Sequence, residues 1–185
     1  MYSSWAYSFA QMTIEIPYVF LQAVLFVIIT YPAIGFYWAI NKVIWNVYIM
    51  FFSMLYFTYL GMLLVALTPN VQVASILASF CYSMMALFSG FLMPGPSIPK
   101  WWVWCYWICP TAWSLQGLLT SQYGDIEKEV TIFGEQKAIN AFLQSYYGYH
   151  NHHLLGVVAL VISAFPLVFA TGFAYAIAKV NFQRR

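Results

Sequence analysis

IWNVYIMFFSMLYFTYLGMLLVAL, residues 44–67, carries no charged side chain, and its surroundings are scarcely different: between Glu15 and Lys100 only Lys42 is charged. A helix needs about 20 mainly apolar residues to cross a bilayer, because an unsatisfied backbone group in hydrocarbon costs several kcal/mol. The run therefore reads as lipid-embedded helix. Over its 185 residues the chain is 63% hydrophobic and 6% charged, with a mean hydropathy of +0.75. Soluble domains are roughly 25% charged. The fold class that follows is all-α, a polytopic membrane helix bundle of about four transmembrane helices.

Punctuation divides the apolar sequence. A first span, 16–35, runs from Ile16 through Tyr31 and ends at Pro32 and Gly35. Trp38 and Trp45 bracket a short connection holding Asn41 and Lys42, as aromatic belts do at a headgroup boundary. The second span, 44–67, stops at the turn Thr68-Pro69-Asn70, where proline cannot continue a helix. A third, 71–93, stops at Pro94-Gly95-Pro96-Ser97-Ile98-Pro99, and a last, 154–178, contains Pro166 and ends in Lys179, Arg184 and Arg185.

The long loop 94–153 has two parts. Trp101 to Leu119 is apolar but broken by Pro110 and Gly117, and it holds Trp101, Trp102, Trp104, Trp107 and Trp113, whose amphipathic rings favour the interface. It reads as a re-entrant or interfacial hairpin. Gln122 to His153 holds most of the acids and two lysines, and reads as a loop that meets water, with room for one helix.

Upstream of the first span, Ser4, Ser8, Gln11 and Glu15 alternate at helical spacing with Trp5, Phe9, Met12 and Ile16. This is the pattern of an amphipathic helix lying at the interface, with Pro17 expected to reset the backbone before the span begins. Met1 to Gln11 holds no Lys or Arg, so the basic start of a secretory signal is missing.

Several function classes are excluded. A net charge of +2 from scattered basic residues offers no nucleic-acid footprint. The phosphate-binding loop, the zinc-protease helix motif and the nucleophile elbow are all missing, and the spans hold no carboxylate pair for acid-base work. His150-Asn151-His152-His153 has no Cys or carboxylate beside it and reads as interfacial polar residues rather than a metal site. Cys81 lies inside a span. Cys105 and Cys109, four apart, do not suit a disulfide if helical, and all three read as packed thiols.

Two features admit a functional and an ordinary reading. Ser75, Ser79 and Ser83, with Ala74, Ala78, Ala86 and Gly90, give the third span four-residue spacings of small residues, fit for a pathway-lining helix or for close packing in one bundle. Glu15 is either a functional carboxylate near the membrane or a solvated headgroup-level charge. The positive-inside rule is a tie, with Lys179, Arg184 and Arg185 opposed by Lys42, Lys100 and Lys137.

The motifs Tyr2-Ser3-Ser4, Glu15-Ile16-Pro17-Tyr18, Thr68-Pro69-Asn70, Phe88-Ser89-Gly90-Phe91, Pro99-Lys100-Trp101-Trp102 and Cys109-Pro110-Thr111-Ala112-Trp113 stand in register along the whole chain. In them the chain resembles the second membrane domain of plant pleiotropic drug resistance transporters, full-size members of ABC transporter subfamily G. The resemblance implies an exporter of amphipathic small molecules, in which this segment is the C-terminal part of a longer protein. It implies that residues 1–15 are a coupling element, with Tyr7, Gln11 and Glu15 receiving motion from nucleotide-binding domains. Ser79, Ser83 and Ala86 would face substrate across from the other membrane domain, and Phe91 and Leu92 would form an apolar constriction above the cavity. Both termini would be cytosolic, the membrane the plasma membrane, and 94–153 external. The chain itself would bind no cofactor, ATP and Mg²⁺ belonging to the nucleotide-binding domains. Cys105 departs from the family pattern. The alternative class is a stand-alone four-span structural or assembly protein without transport activity.

Overall fold

In a computed structural model, the described residues are 4–36, 38–95, 98–124, 129–132, 135–138 and 155–179. The histidines at 150, 152 and 153, Tyr2 and Ser3, and Arg184 and Arg185 lie outside them. The elements are α1 (Ser4–Ile34), α2 (Ile40–Leu67), α3 (Val71–Leu87), α4 (Val103–Ile108), α5 (Pro110–Tyr123), β1 (Glu129–Ile132), β2 (Glu135–Ala138) and α6 (Leu155–Lys179). They form a helical bundle. The strands make a small antiparallel ribbon, with Glu129 opposite Ala138 and Ile132 opposite Glu135, in the segment where one helix was expected. Among the described residues three helices, α1, α2 and α6, are long and apolar enough to cross a membrane.

α2 is the hub. Its Leu55 and Tyr59 pack with Val19 of α1, flanked by Phe169 and Ala170 of α6. Its Ile49 packs with Val158 and Ile162 of α6, and Trp113 of α5 closes that cluster. The Tyr59 hydroxyl donates to the Met12 carbonyl at 3.1 Å, and the Tyr48 hydroxyl donates to the Ala159 carbonyl at 3.3 Å. α1 is thus antiparallel to α2, and α6 runs parallel to it. The start of α1, the end of α2 and the end of α6 meet at one end of the bundle, hereafter the base.

α1 corrects the expectation for the N-terminal region. One 31-residue helix passes through Pro17 and Pro32, so 1–15 and 16–35 are not separate elements. Ser8, Val19, Ala23, Val27 and Tyr31 are buried, and Met12 and Glu15 half-buried, along a single helical stripe. That stripe keeps its phase across Pro17, and its packing outweighs the one backbone hydrogen bond a proline removes. The polar face expected to meet water is also turned round. Ser8 is fully buried while Trp5, Phe9 and Ile16 point outward, the arrangement a lipid surround favours.

α3 ends at Leu87 rather than residue 93, and it and α5 divide the length of α2 between them. The Tyr82 hydroxyl of α3 donates to the Phe57 carbonyl in the basal half of α2. Ser114 of α5 meets Ser53 and Tyr56 near the middle of α2, Gly117 lies against Ile49, and Gln122 reaches Lys42 at the far end. At 1.5 Å per residue, α3 and α5 together match the roughly 42 Å of α2. The tryptophan-rich segment therefore does re-enter the bundle, by way of α5. α4 precedes it, with Trp101, Trp104 and Trp107 exposed.

Candidate functional site

The residues expected to act in function fall at two places joined by α3. At the base, Tyr7 and Gln11 of α1 line a groove of about 350 Å³ together with Met62 of α2, Thr68 of the α2–α3 turn, Val71 of α3 and Phe173 of α6. Gly61 and Ala66 of α2 also line it. Tyr7 and Gln11 are exposed and accessible from that side. Glu15 stands apart from the groove. It is half-buried one turn along from Met12, whose carbonyl holds the Tyr59 hydroxyl. The three residues expected to act together are thus on one helix, but only two share a cavity.

α3 touches the rest of the bundle along one side only. Ala74 is its one buried residue, and Ala78, Cys81, Tyr82 and Met85 are half-buried beside it. Ser79, Ser83 and Ala86 are exposed together on one flank, with Ser75 below them, and Ile76, Phe80 and Leu87 are exposed beside that flank. The Ser79 hydroxyl donates back to the Ser75 carbonyl at 2.8 Å, and the Ser75 hydroxyl to the Gln72 carbonyl at 2.8 Å. This strip presents small side chains with their donors already satisfied, so a partner or ligand meets little desolvation cost there. The small-residue pattern is therefore divided: Ala74 and Ala78 face the bundle, and Ser75, Ser79, Ser83 and Ala86 do not.

At the far end of α3 the chain leaves the helix. The Ser89 hydroxyl donates to the Ala86 carbonyl at 2.7 Å and accepts the Phe91 N–H at 3.4 Å. Gly90 follows with φ 88°, a left-handed backbone that side chains rarely adopt, and turns the chain aside. Phe91 and Leu92 stand on this turn, 72% and 63% exposed, beyond the helix and not on it. Phe88, by contrast, faces inward, stacked on Trp102 with centroids 5.4 Å apart. The apolar pair and the strip are both exposed, at successive positions along the chain.

Two polar arrangements were not legible as sites. The Lys42 ammonium donates to the Gln122 carbonyl at 2.7 Å, the Gln122 amide donates to the Lys42 carbonyl at 3.0 Å, and the Tyr31 hydroxyl donates to Gln122 Oε1 at 3.3 Å. This fastens the last turn of α5 to the first turn of α2 and the last turns of α1, and a cation there suits the helix C-terminus. Deeper, the Ser53 hydroxyl donates to Ser114 at 2.8 Å, and Ser114 to the Pro110 carbonyl at 3.1 Å. The sequence signal for the first was the isolated Lys42 itself. Glutamine 80 residues away gave none.

Comparison with known proteins bears on what such an arrangement does. Residues 1–123 match the family described as ABC-2 type transporter. ABC transporter G family member 41 of Arabidopsis thaliana is 54% identical over 185 residues, which is all of this chain and 13% of that protein. ABC transporter G family member 30 of the same plant is 52% identical over the same span, again 13% of its length. ABC transporter G family member 41 of Oryza sativa subsp. japonica is 48% identical over 186 residues, covering all of this chain and 13% of that protein. The chain spans about an eighth of the length of these curated relatives.

Proposed function

The chain belongs to the ABC-2 type transporter family, and on that premise we propose that it is part of the second membrane domain of a full-size, pleiotropic-drug-resistance-type exporter of amphipathic small molecules. It is an integral membrane protein with long apolar helices and no phosphate-binding loop in its sequence. The motor is then the nucleotide-binding domains of the longer protein, where ATP is hydrolysed with Mg²⁺. Both termini face the cytosol at the plasma membrane.

The observation that carries this reading is the placement of α3. Its first residue, Val71, lines the basal groove with Tyr7 and Gln11, and its last turn leads into the exposed pair Phe91 and Leu92. A displacement applied at the groove is transmitted along one rigid helix to the apolar pair about 25 Å away. The strip of Ser79, Ser83 and Ala86 between them is left open to the substrate route and to the other membrane domain. Glu15, half-buried one turn from the Met12 carbonyl that meets Tyr59 of α2, couples α1 to that movement.

Membrane vesicles from cells expressing the full-length reading frame test this. ATP-dependent accumulation of an amphipathic dye in inside-out vesicles, abolished by a substitution in the motor's phosphate-binding loop, is the expected result. An antibody against residues 122–150 that detects only a band near 21 kDa in native membranes would overturn it in favour of a stand-alone protein.

A further inference from the structure

The early end of α3 has a specific cause. Helices leave their last four carbonyls without intrahelical donors, and buried ones must be met by something else. Here the Phe88 N–H bonds the Met84 carbonyl at 3.1 Å, but the Ser89 N–H turns to the Ala86 carbonyl at 3.4 Å, so Met85 is passed over by the backbone. The Thr111 hydroxyl, on the first turn of α5, donates to the Met85 carbonyl at 2.8 Å. Cys109 Sγ stands beside it, 2.9 Å from Thr111 Oγ1 and 3.5 Å from the same carbonyl.

We propose that Thr111 is a positioning residue of the constriction: its hydroxyl caps α3 at Met85, stops the helix, and sets the Ser89-Gly90 turn that aims Phe91 and Leu92. This rests on the reading of that pair as the constriction, and adds the device that holds it. Thr111 suits the task because its own position is fixed. Pro110 precedes it at the start of α5, Ala112 and Cys109 are buried with Phe88, Ile98 and Tyr106, and Trp102 stacks on Phe88. The far end of α5 is fastened by Lys42 and Gln122. α5 is thus a strut, and Thr111 is its contact with the end of α3. A continuing α3 would satisfy Met85 from Ser89 and carry Phe91 and Leu92 on its own face. The hydroxyl selects the turned arrangement instead.

The test uses the full-length transporter reconstituted in liposomes, with substrate transported per ATP hydrolysed as the readout. Thr111→Val keeps the shape and removes the donor, and lowers this ratio about five-fold, the scale of one hydrogen bond to a half-buried carbonyl. Thr111→Ser keeps the donor and stays within about two-fold of the unmodified protein. A valine variant with the unmodified ratio, or a serine variant as impaired as valine, overturns the proposal. If the valine protein does not reach the membrane, serine and cysteine at 111 decide it: they differ only in the donor atom, so cysteine falls below serine, and equal ratios refute the cap. Phe91→Ala with Leu92→Ala is measured alongside. If that pair changes nothing, the constriction reading fails and the proposal with it. If the pair alters the ratio and Thr111→Val does not, only the role of Thr111 fails.

Discussion

α2 and α3 are neighbouring apolar helices of similar composition, yet the structure uses them in opposite ways. α2 is enclosed by α1, α5 and α6, with Ile49, Leu55, Tyr56, Tyr59 and Leu60 buried along it. α3 meets the bundle along one side, buries Ala74 alone, and leaves its serines outside. The difference lies in side-chain size at the contact. α2 offers aromatic and branched residues that bury large areas, and such area is what holds helices in register. α3 meets the bundle through Ala74, Ala78, Cys81, Tyr82 and Met85, a smaller contact, while Ile76, Phe80 and Leu87 stand exposed beside its serines. An enclosed hub beside a helix held along one side fits the transport role proposed above.

That contrast predicts where substitutions cost stability and where they cost transport. The largest stability loss is expected at the hub, from Gly117→Val. Even a Cβ at Gly117 meets Val158 Cγ1 at 3.0 Å and Ile49 Cδ1 at 3.1 Å, and overpacking of this kind costs about 1–3 kcal/mol. Thermal unfolding of the purified full-length protein is expected to fall by several degrees. An unchanged midpoint would mean that α5 is not packed on α2 and α6 as described.

Lys42→Met comes next. It leaves the Gln122 carbonyl without the ammonium that caps α5, a loss of about 1.5 kcal/mol, read from the same unfolding curves. Lys42→Arg, which keeps a donor, should recover part of it. Ser83→Leu on α3 should alter stability by no more than about 0.5 kcal/mol, because the position is exposed, while changing the apparent substrate affinity in the transport assay. Leucine at 83 that unfolds the protein would break the comparison, since it would place that face inside a packed interface of this chain.

Glu15→Gln has the smallest expected effect on stability and sharpens the account of the base. Glu15 is half-buried on α1 one turn along from Met12, apart from the groove that Tyr7 and Gln11 line. Loss of its charge should lower transport per ATP without shifting the unfolding midpoint. Equal ratios for the two proteins would return Glu15 to an ordinary interfacial charge.

The helices of this fold were legible because charge is so scarce that each apolar run declares itself, as residues 44–67 do. Helix ends were harder. Pro17 reads as a break in any local view, but the stripe from Ser8 to Tyr31 packs as one surface and carries the helix through. Residues 88–93 read as the last turn and a half of a span, and nothing local reveals that Thr111, more than 20 residues away, captures the Met85 carbonyl first. Ser8 and Glu15 gave the right face of α1 but the wrong environment, since a polar stripe in a membrane protein turns toward its own bundle as readily as toward water. For the candidate site, the sequence offered Tyr7, Gln11, Ser79, Ser83, Ala86, Phe91 and Leu92 only as candidates, through a resemblance. It did not supply their grouping, which depends on α3 starting at one site and stopping at the other.

The central claim is that α3 links the basal groove to an apolar pair that controls passage. Its most direct test is the full-length transporter carrying Phe91→Ala and Leu92→Ala, reconstituted in liposomes, with substrate moved per ATP hydrolysed measured against the unmodified protein. The account predicts a fall of about five-fold or more in that ratio, with the unfolding midpoint unchanged because both side chains are exposed. A double variant that moves as much substrate per ATP as the unmodified protein would contradict it.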